Sequence, residues 1–347
     1  MAIQLLIRVD SNPEIASGHL MRCLSVAAEA KSQGLEVVFL MSDDCNREIV
    51  EKRGFSYCNL KTNWKNLDSE LSDLLYLINK YHNPILLIDT YSITASYVSA
   101  LQQSLPIVYL GSKMRNIGQP NGIINYSSAI DYDYYNSHHC NSELLLGVKY
   151  APLRKEFHNN KVTNISVLTD LLLTTGGTDK PNFSEHFIKT NLKLFEKYNL
   201  TCHVIVGSMF HNVSTLECYA NHVPHIALHH NVDNMSTFMR KCQLAISANG
   251  TTVYELAACG IPTISFALVK EQEISGKTLG DMGIVDFCGL YPDNTTKCMT
   301  TISKKIENYI NNPTTRIQLG ERASSIIDGK GCEYIVNSII KIRNKWS

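Results

Sequence analysis

Apolar positions along the chain fall into two alternating spacings. Ala2 to Val9 is a tight apolar run closed by the turn formers Asp10-Ser11-Asn12-Pro13, and it predicts a buried strand. From Leu20 to Gln33, Leu20, Met21, Leu24, Ala27 and Ala28 share one face before Gly34, the pattern of an amphipathic helix with a glycine stop. Val37 to Leu40 is again a strand. Strand, helix, strand within about forty residues is a βαβ unit and implies a parallel sheet. The alternation predicts a helix over Leu67–Tyr81, a strand Pro84–Ile88 ending at Asp89, a helix Thr94–Gln102 and a strand Pro106–Leu110. Over 111–142 the periodicity fades into turn formers and polar aromatics, which suits either a functional loop or a loose connection. Leu144–Leu146 reads as a last short strand, and Pro152 opens a linker.

A second cycle begins near Val167. It predicts strands at Leu171–Leu173, 202–206, 225–228, Leu244–Ser247 and Ile261–Phe266, with helices at 182–198, 212–220, 234–241 and from Thr252, and further helices beyond. The expected fold is therefore α/β, with two doubly wound Rossmann-like domains whose parallel sheets face a cleft. Such sheets bind ligands at the carboxyl ends of their strands. The expected divisions are 1–154, 155–328 and a C-terminal helix within 329–347 that crosses back to the first domain.

Length and composition fit this picture. A chain of 347 residues exceeds one average domain, and 44% apolar residues can fill two cores. Lys plus Arg balances Asp plus Glu at 32 each, which gives no electrostatic reason to expect nucleic acid. The eleven cysteines include no C-x-x-C pair, so neither a zinc site nor a disulfide framework is suggested, and a reducing compartment fits best. Arg8 and Asp10 break the first apolar run too early for a signal peptide, and no stretch reaches the length of a membrane span. A cytoplasmic protein without stable membrane association is expected, a monomer rather than an oligomer, using no metal and no cofactor.

Two segments carry candidate chemistry because each follows a strand and opens a helix. Ser17-Gly18-His19 sits at the start of the first helix, where unpaired backbone N–H groups attract phosphate and Gly18 permits close approach. The His19 imidazole can take a proton from water; the same residues also suit a surface histidine beside a helix cap. Ser247-Ala248-Asn249-Gly250-Thr251-Thr252-Val253-Tyr254-Glu255 repeats the arrangement. Asn249 and Gly250 form the turn, Thr251 and Thr252 offer hydroxyls and N–H groups to a pyrophosphate, and Glu255 suits a ribose. Simple capping by the threonines, with Glu255 as a helix-dipole partner, is the plainer alternative. Gly176-Gly177-Thr178-Asp179 after a strand, and Lys270-Glu271-Gln272 after another, are weaker versions of the same theme.

Taken together, Arg8-x-Asp10, Gly18-His19-x-x-Arg22-Cys23-Leu24, Ile88-Asp89-Thr90-Tyr91, Leu146 to Arg154, Gly176 to Asp179 and Ser247 to Glu255 resemble the pseudaminic-acid pathway hydrolases over roughly residues 3–285. These enzymes release UDP from UDP-2,4-diacetamido-2,4,6-trideoxy-β-L-altropyranose. The C-terminal segment also resembles the N-acetylglucosaminyltransferase of peptidoglycan synthesis, which shares the glycosyltransferase-B fold. The resemblance implies metal-independent, inverting hydrolysis at the anomeric carbon, with His19 as general base and Tyr91 as an active-site hydroxyl. It makes Asp10, Gly18, Arg22, Asp89, Gly177, Asn249, Gly250, Thr251, Thr252, Glu255 and Gln272 substrate-binding residues. A UDP-sugar is the implied partner.

The chain departs from that family at Gly111-Ser112, where paired aspartates are usual, and at Glu271, where an asparagine precedes the glutamine. Both departures concern the sugar. An inverting glycosyltransferase using the same donor, and a non-catalytic nucleotide-sugar-binding relative, are the competing expectations.

Overall fold

Burial explains the first elements. In β1 (Gln4–Val9) five of six side chains are buried, so the strand has no solvent face and reads as an apolar run interrupted only by the buried Arg8. α1 (Gly18–Ser32) lays Leu20, Cys23, Leu24 and Ala27 inward. β2 (Glu36–Met41), α2 (Arg47–Lys52), β3 (Ser56–Asn59), α3 (Leu71–Ile78), β4 (Pro84–Asp89), α4 (Ala95–Leu101), β5 (Ile107–Leu110), β6 (Gly122–Asn125), α5 (Tyr132–His138) and β7 (Glu143–Leu146) follow. The next elements are β8 (Asp170–Thr174), α6 (Phe183–Tyr198), β9 (Thr201–Val206), α7 (Val213–His222), β10 (Ile226–His230), α8 (Met235–Lys241), β11 (Leu244–Ala248) and α9 (Thr252–Ala258). β12 (Thr263–Ala267), α10 (Glu271–Asp281), β13 (Asp286–Leu290), α11 (Thr295–Asn311), α12 (Pro313–Ile326) and α13 (Gly331–Lys345) complete the chain. The computed structural model describes residues 2–15, 17–158, 166–230, 232 and 234–346. The linker expected from Pro152 includes residues 159–165, which lie outside the described residues.

The chain divides into two compact units, residues 1–155 with 330–347, and residues 156–329. In the first unit the sheet order is β3-β2-β1-β4-β5-β6-β7, and in the second it is β10-β9-β8-β11-β12-β13. Every strand pairing is parallel. Each sheet therefore runs outward in both directions from its first strand, and the strand order reverses between β1 and β4, and between β8 and β11.

The first sheet is covered on both faces. Leu5, Ile7 and Val9 join one core with α1 and α13, while Leu6, Leu86 and Ile88 join another with Tyr97, Val98 and Tyr135. The second unit packs around Leu171, Leu173, Phe183, Phe187 and Phe266. The Phe183 and Phe266 rings stack with centroids 3.7 Å apart.

Three strands and three helices differ from the sequence expectation. Residues 111–142, expected to lack regular structure, contain β6 and α5. Gly-Ile-Ile-Asn is too short for a period to show, although all four residues are buried. α2 and β3 lie in a stretch given no element, and β3 has no fully buried side chain. β13 falls where only helices were expected, and all five of its residues are half-buried. The helix expected over Leu67–Tyr81 is shorter, with a 3-10 turn at Leu67–Glu70 before α3.

Candidate active site

In the first unit the chain reversal makes the site. β1 and β4 are neighbours in register, with Val9 opposite Asp89. The residues after both strands thus emerge side by side at their carboxyl ends, the position where doubly wound sheets bind ligands. α1 starts at Gly18, and a Cβ built there would meet nothing within 4 Å. Packing does not require a glycine at this position, and the helix start is open to close approach by a ligand.

His19 is buried at 7% exposure, and its Nδ1 lies 2.5 Å from Oδ1 of Asp89. Arg22, one turn along α1, gives its Nε to Asp89 Oδ2 at 2.5 Å, its Nη2 to Oδ1, and its Nη1 to the Tyr126 hydroxyl at 3.0 Å. The buried Cys23 thiol adds a contact to Oδ2 at 3.4 Å. Burial alone would raise the Asp89 carboxyl, but hydrogen bonds from Arg22 and its charge, with help from His19, outweigh it and hold the pKa below the ordinary value. Asp89 is therefore an ionised acceptor. The proton in the 2.5 Å contact belongs to His19 Nδ1, which makes the 3.0 Å approach of Arg22 Nη2 to the same nitrogen a meeting of two donors at one carboxylate. In the neutral ring this leaves the lone pair on Nε2.

Asp10 is also buried. It accepts from the Ser42 N–H at 2.9 Å and stands 2.7 Å from Arg8 Nη1. Arg8 in turn binds Glu70 through two bonds of 2.7 and 3.0 Å, and the Tyr97 hydroxyl donates to Glu70 at 2.6 Å. This is a buried charge paired on both sides, the condition under which burial is tolerated. Burial works against the Arg8 charge, yet its carboxylate partners push its pKa up.

A small pocket lies beside His19, lined by Asp10, Ile15, His19, Trp64, Asp89, Thr90 and Tyr91. Tyr91 is 64% exposed and presents its ring edge-on to His19, centroids 4.6 Å apart. Lys113 donates to the carbonyls of Tyr91 and Ile93 at 3.3 and 2.9 Å, so the segment holding Gly111 and Ser112 supports the Tyr91 loop. The structure thus gathers Asp10, Gly18, His19, Arg22, Asp89 and Tyr91 at the carboxyl ends of β1 and β4. Asp89, expected as a substrate ligand, turns both oxygens onto protein groups. Ile15 and Trp64 are pocket residues with no sequence signal: Trp64 stands in a polar loop, and only the placement of β3 beside β2 brings it near.

The second unit repeats the geometry. Ser247 pairs with Thr174, so Gly176-Gly177 and the stretch from Asn249 to Glu255 emerge together. Gly250 and Thr251 are exposed, and Thr252 and Glu255 half-buried. Thr251 caps α9 without a side-chain hydrogen bond. Asn249 differs from expectation. It is buried, and its amide donates to Gln272 O and Ser275 Oγ, both at 2.9 Å, so it anchors α10 to the turn. Gln272 accepts from Leu268 N–H at 2.9 Å through its side-chain carbonyl. Asp179 caps α6 by accepting from Phe183 and Ser184 N–H at 2.9 and 3.0 Å, and burial raises its pKa. These motifs fall into one unit and the histidine motif into the other.

No protein-family model matches the chain. An uncharacterized protein of Methanocaldococcus jannaschii is 23% identical over 282 residues, covering 76% of this chain and 55% of that protein. The Helicobacter pylori pseudaminic acid cytidylyltransferase and UDP-2,4-diacetamido-2,4,6-trideoxy-beta-L-altropyranose hydrolase is 27% identical over 154 residues, 44% of this chain and 25% of that protein. The chain thus spans about half or less of the curated relatives it matches. Among solved structures, MurG of Acinetobacter baumannii superimposes with a TM-score of 0.70 at 13% identity, covering 98% of this chain and 100% of that one. The UDP-GlcNAc 2-epimerase of Neisseria meningitidis does so with a TM-score of 0.66 at 12% identity, covering 98% of this chain and 100% of that one. The fold is of the glycosyltransferase-B type. Among the described residues, no helix is long and apolar enough to cross a membrane.

Proposed function

We propose that the chain hydrolyses a UDP-linked amino sugar, cutting the bond between the anomeric carbon and the diphosphate oxygen. The observation that carries this reading is the His19–Asp89 contact of 2.5 Å at the reversal point of the first sheet, beside a small pocket. A carboxylate on Nδ1 fixes the tautomer and orients the ring, which makes Nε2 a general base. In the proposed reaction a water gives its proton to Nε2 while its oxygen attacks the anomeric carbon. The carbon–oxygen bond to the diphosphate breaks on the opposite face, and the sugar inverts.

On this reading Asp89 and Arg22 position His19, while Asp10 and Tyr91 line the sugar's place. Gly177, Gly250, Thr251, Thr252 and Glu255 would hold the diphosphate and ribose, with Asn249 orienting the turn and Gln272 near the sugar. The backbone N–H groups of such turns stabilise the charge that grows on a leaving diphosphate. The Helicobacter relative, whose name includes a UDP-sugar hydrolase, supports the reaction class.

A second reading, an inverting glycosyltransferase, uses the same donor and is consistent with the glycosyltransferase-B fold. One experiment separates them. Candidate UDP-sugars, the diacetamido trideoxy sugar among them, are incubated with the protein in ¹⁸O-water without an acceptor. Hydrolysis by the proposed route puts the label on the sugar. Label on UDP, or turnover that waits for an added glycosyl acceptor, contradicts it.

A further inference from the structure

Three side chains around His19, Ile15, Trp64 and the ring of Tyr91, stand outside the proposed proton transfer. Ile15, Trp64 and Tyr91 line the pocket with Asp10, Asp89 and Thr90. Both acids already hold cations, Asp10 with Arg8 and Asp89 with Arg22, and the Thr90 hydroxyl accepts from Ser92 N–H at 3.2 Å. What the pocket still offers a ligand is chiefly aromatic and aliphatic surface. A large exposed aromatic beside a reactive histidine, with little protein packed over it, is the kind of surface a ligand covers.

The wall is built rather than incidental. Asn12 Oδ1 accepts from the N–H groups of Glu14 and Ile15 at 3.0 and 3.2 Å, which sets the turn carrying Ile15. Glu14 then binds Lys65 at 2.6 Å and ties that turn to the Trp64 loop. The loop is pinned from behind: Thr62 N–H donates to Ser42 O at 3.1 Å, and the Thr62 hydroxyl donates to Glu70 at 2.8 Å. The Lys65 ammonium lies 4.9 Å from the centroid of the Trp64 ring. Tyr91 is held through its carbonyl by Lys113 at 3.3 Å.

We infer that Ile15, Trp64 and Tyr91 form an apolar subsite beside His19 that takes the methyl groups of an acetamido or deoxy pyranose attached to a nucleotide. The inference rests on the hydrolase reading for the identity of the ligand but not for its test. A sugar bearing only hydroxyls has little to gain against such a wall, whereas each methyl covered by an aromatic face leaves water. Discrimination by one apolar group spans roughly 10- to 200-fold in well-formed pockets.

The chain has two tryptophans, Trp64 and Trp346, so Trp346→Phe leaves Trp64 as the sole indole emitter. That protein is titrated with UDP-N-acetylglucosamine, UDP-glucose and UDP while emission is followed. Emission should change with the acetamido sugar and stay near baseline with UDP alone. By calorimetry on otherwise wild-type protein, Trp64→Ala should cut the preference for UDP-N-acetylglucosamine over UDP-glucose about 10-fold and leave UDP affinity intact, with Trp64→Phe restoring part of it. Silent emission, or a preference unchanged by Trp64→Ala, overturns the subsite even where hydrolysis is observed. A responsive Trp64, with none of the candidate UDP-sugars cleaved in ¹⁸O-water, leaves the subsite standing and sinks the reaction instead.

Discussion

Asp89 has two neighbours of different kinds, a permanent cation in Arg22 and a ring in His19. An asparagine there keeps the shape but has one acceptor atom and no charge. Asp89→Asn should therefore lower turnover by roughly 100-fold or more, because Nδ1 loses the partner that fixes its proton. It should also destabilise the first unit by about 3 kcal/mol, since Arg22 loses its counter-charge in a largely buried place. Steady-state rates and urea midpoints read the two effects separately. The pH dependence follows from the sign of the shift. The folded carboxyl sits below the ordinary aspartate value of 3.8, so between the two values the unfolded chain binds the proton first. The Asp89 contribution is present in full above pH of about 4 and fades as pH falls through the folded value. The gap in urea midpoint between wild type and Asp89→Asn should thus shrink as pH falls below about 4. A gap that widened on acidification would reverse the assignment.

The loop after β8 is shaped by a close approach. A Cβ on Gly207, which follows β9, would lie 2.4 Å from Gly176 O and 2.6 Å from Gly177 O. Those are backbone atoms, so the Gly176-Gly177 loop must move to admit it. Gly207→Ala should cost UDP affinity about 10-fold or more, the scale of a modest overpacking penalty, and calorimetry measures it; unchanged affinity would detach that loop from the nucleotide. Burial on both faces also decides which strands are legible in the sequence. β1, β4, β8, β11 and β12 are covered on both faces, and such strands are predominantly apolar runs that need no partner to be recognised. β3 and β13 are half-exposed edge strands, and β6 has only four residues, so no period separates them from turns. The helix starts at Gly18 and Thr252 were legible because strand, turn and helix follow one another locally. The His19–Asp89 contact spans 70 residues and exists because β1 and β4 are neighbours, which no local pattern states. Ile15 and Trp64 were missed for the same reason.

At the scale of the whole molecule, the chain returns at its end to complete its first unit. α13 lays Cys332, Ile335, Val336, Ile339 and Ile342 into the core that holds α1, and Lys341 binds Glu143 at the start of β7 with a 2.6 Å contact. Ile339→Ala should cost about 2–5 kcal/mol and shift only the transition of the first unit in urea; a shift confined to the second would contradict the division of the chain. The proposed labour is divided in the same way, with water activation in one unit and nucleotide binding in the other. Turnover of a cleavable UDP-sugar by His19→Ala, with UDP affinity measured on the same sample, tests that division most directly. Turnover should fall to background while UDP binds within about twofold of wild type. A His19→Ala protein that still cleaves at the wild-type rate would end the claim that this imidazole is the base.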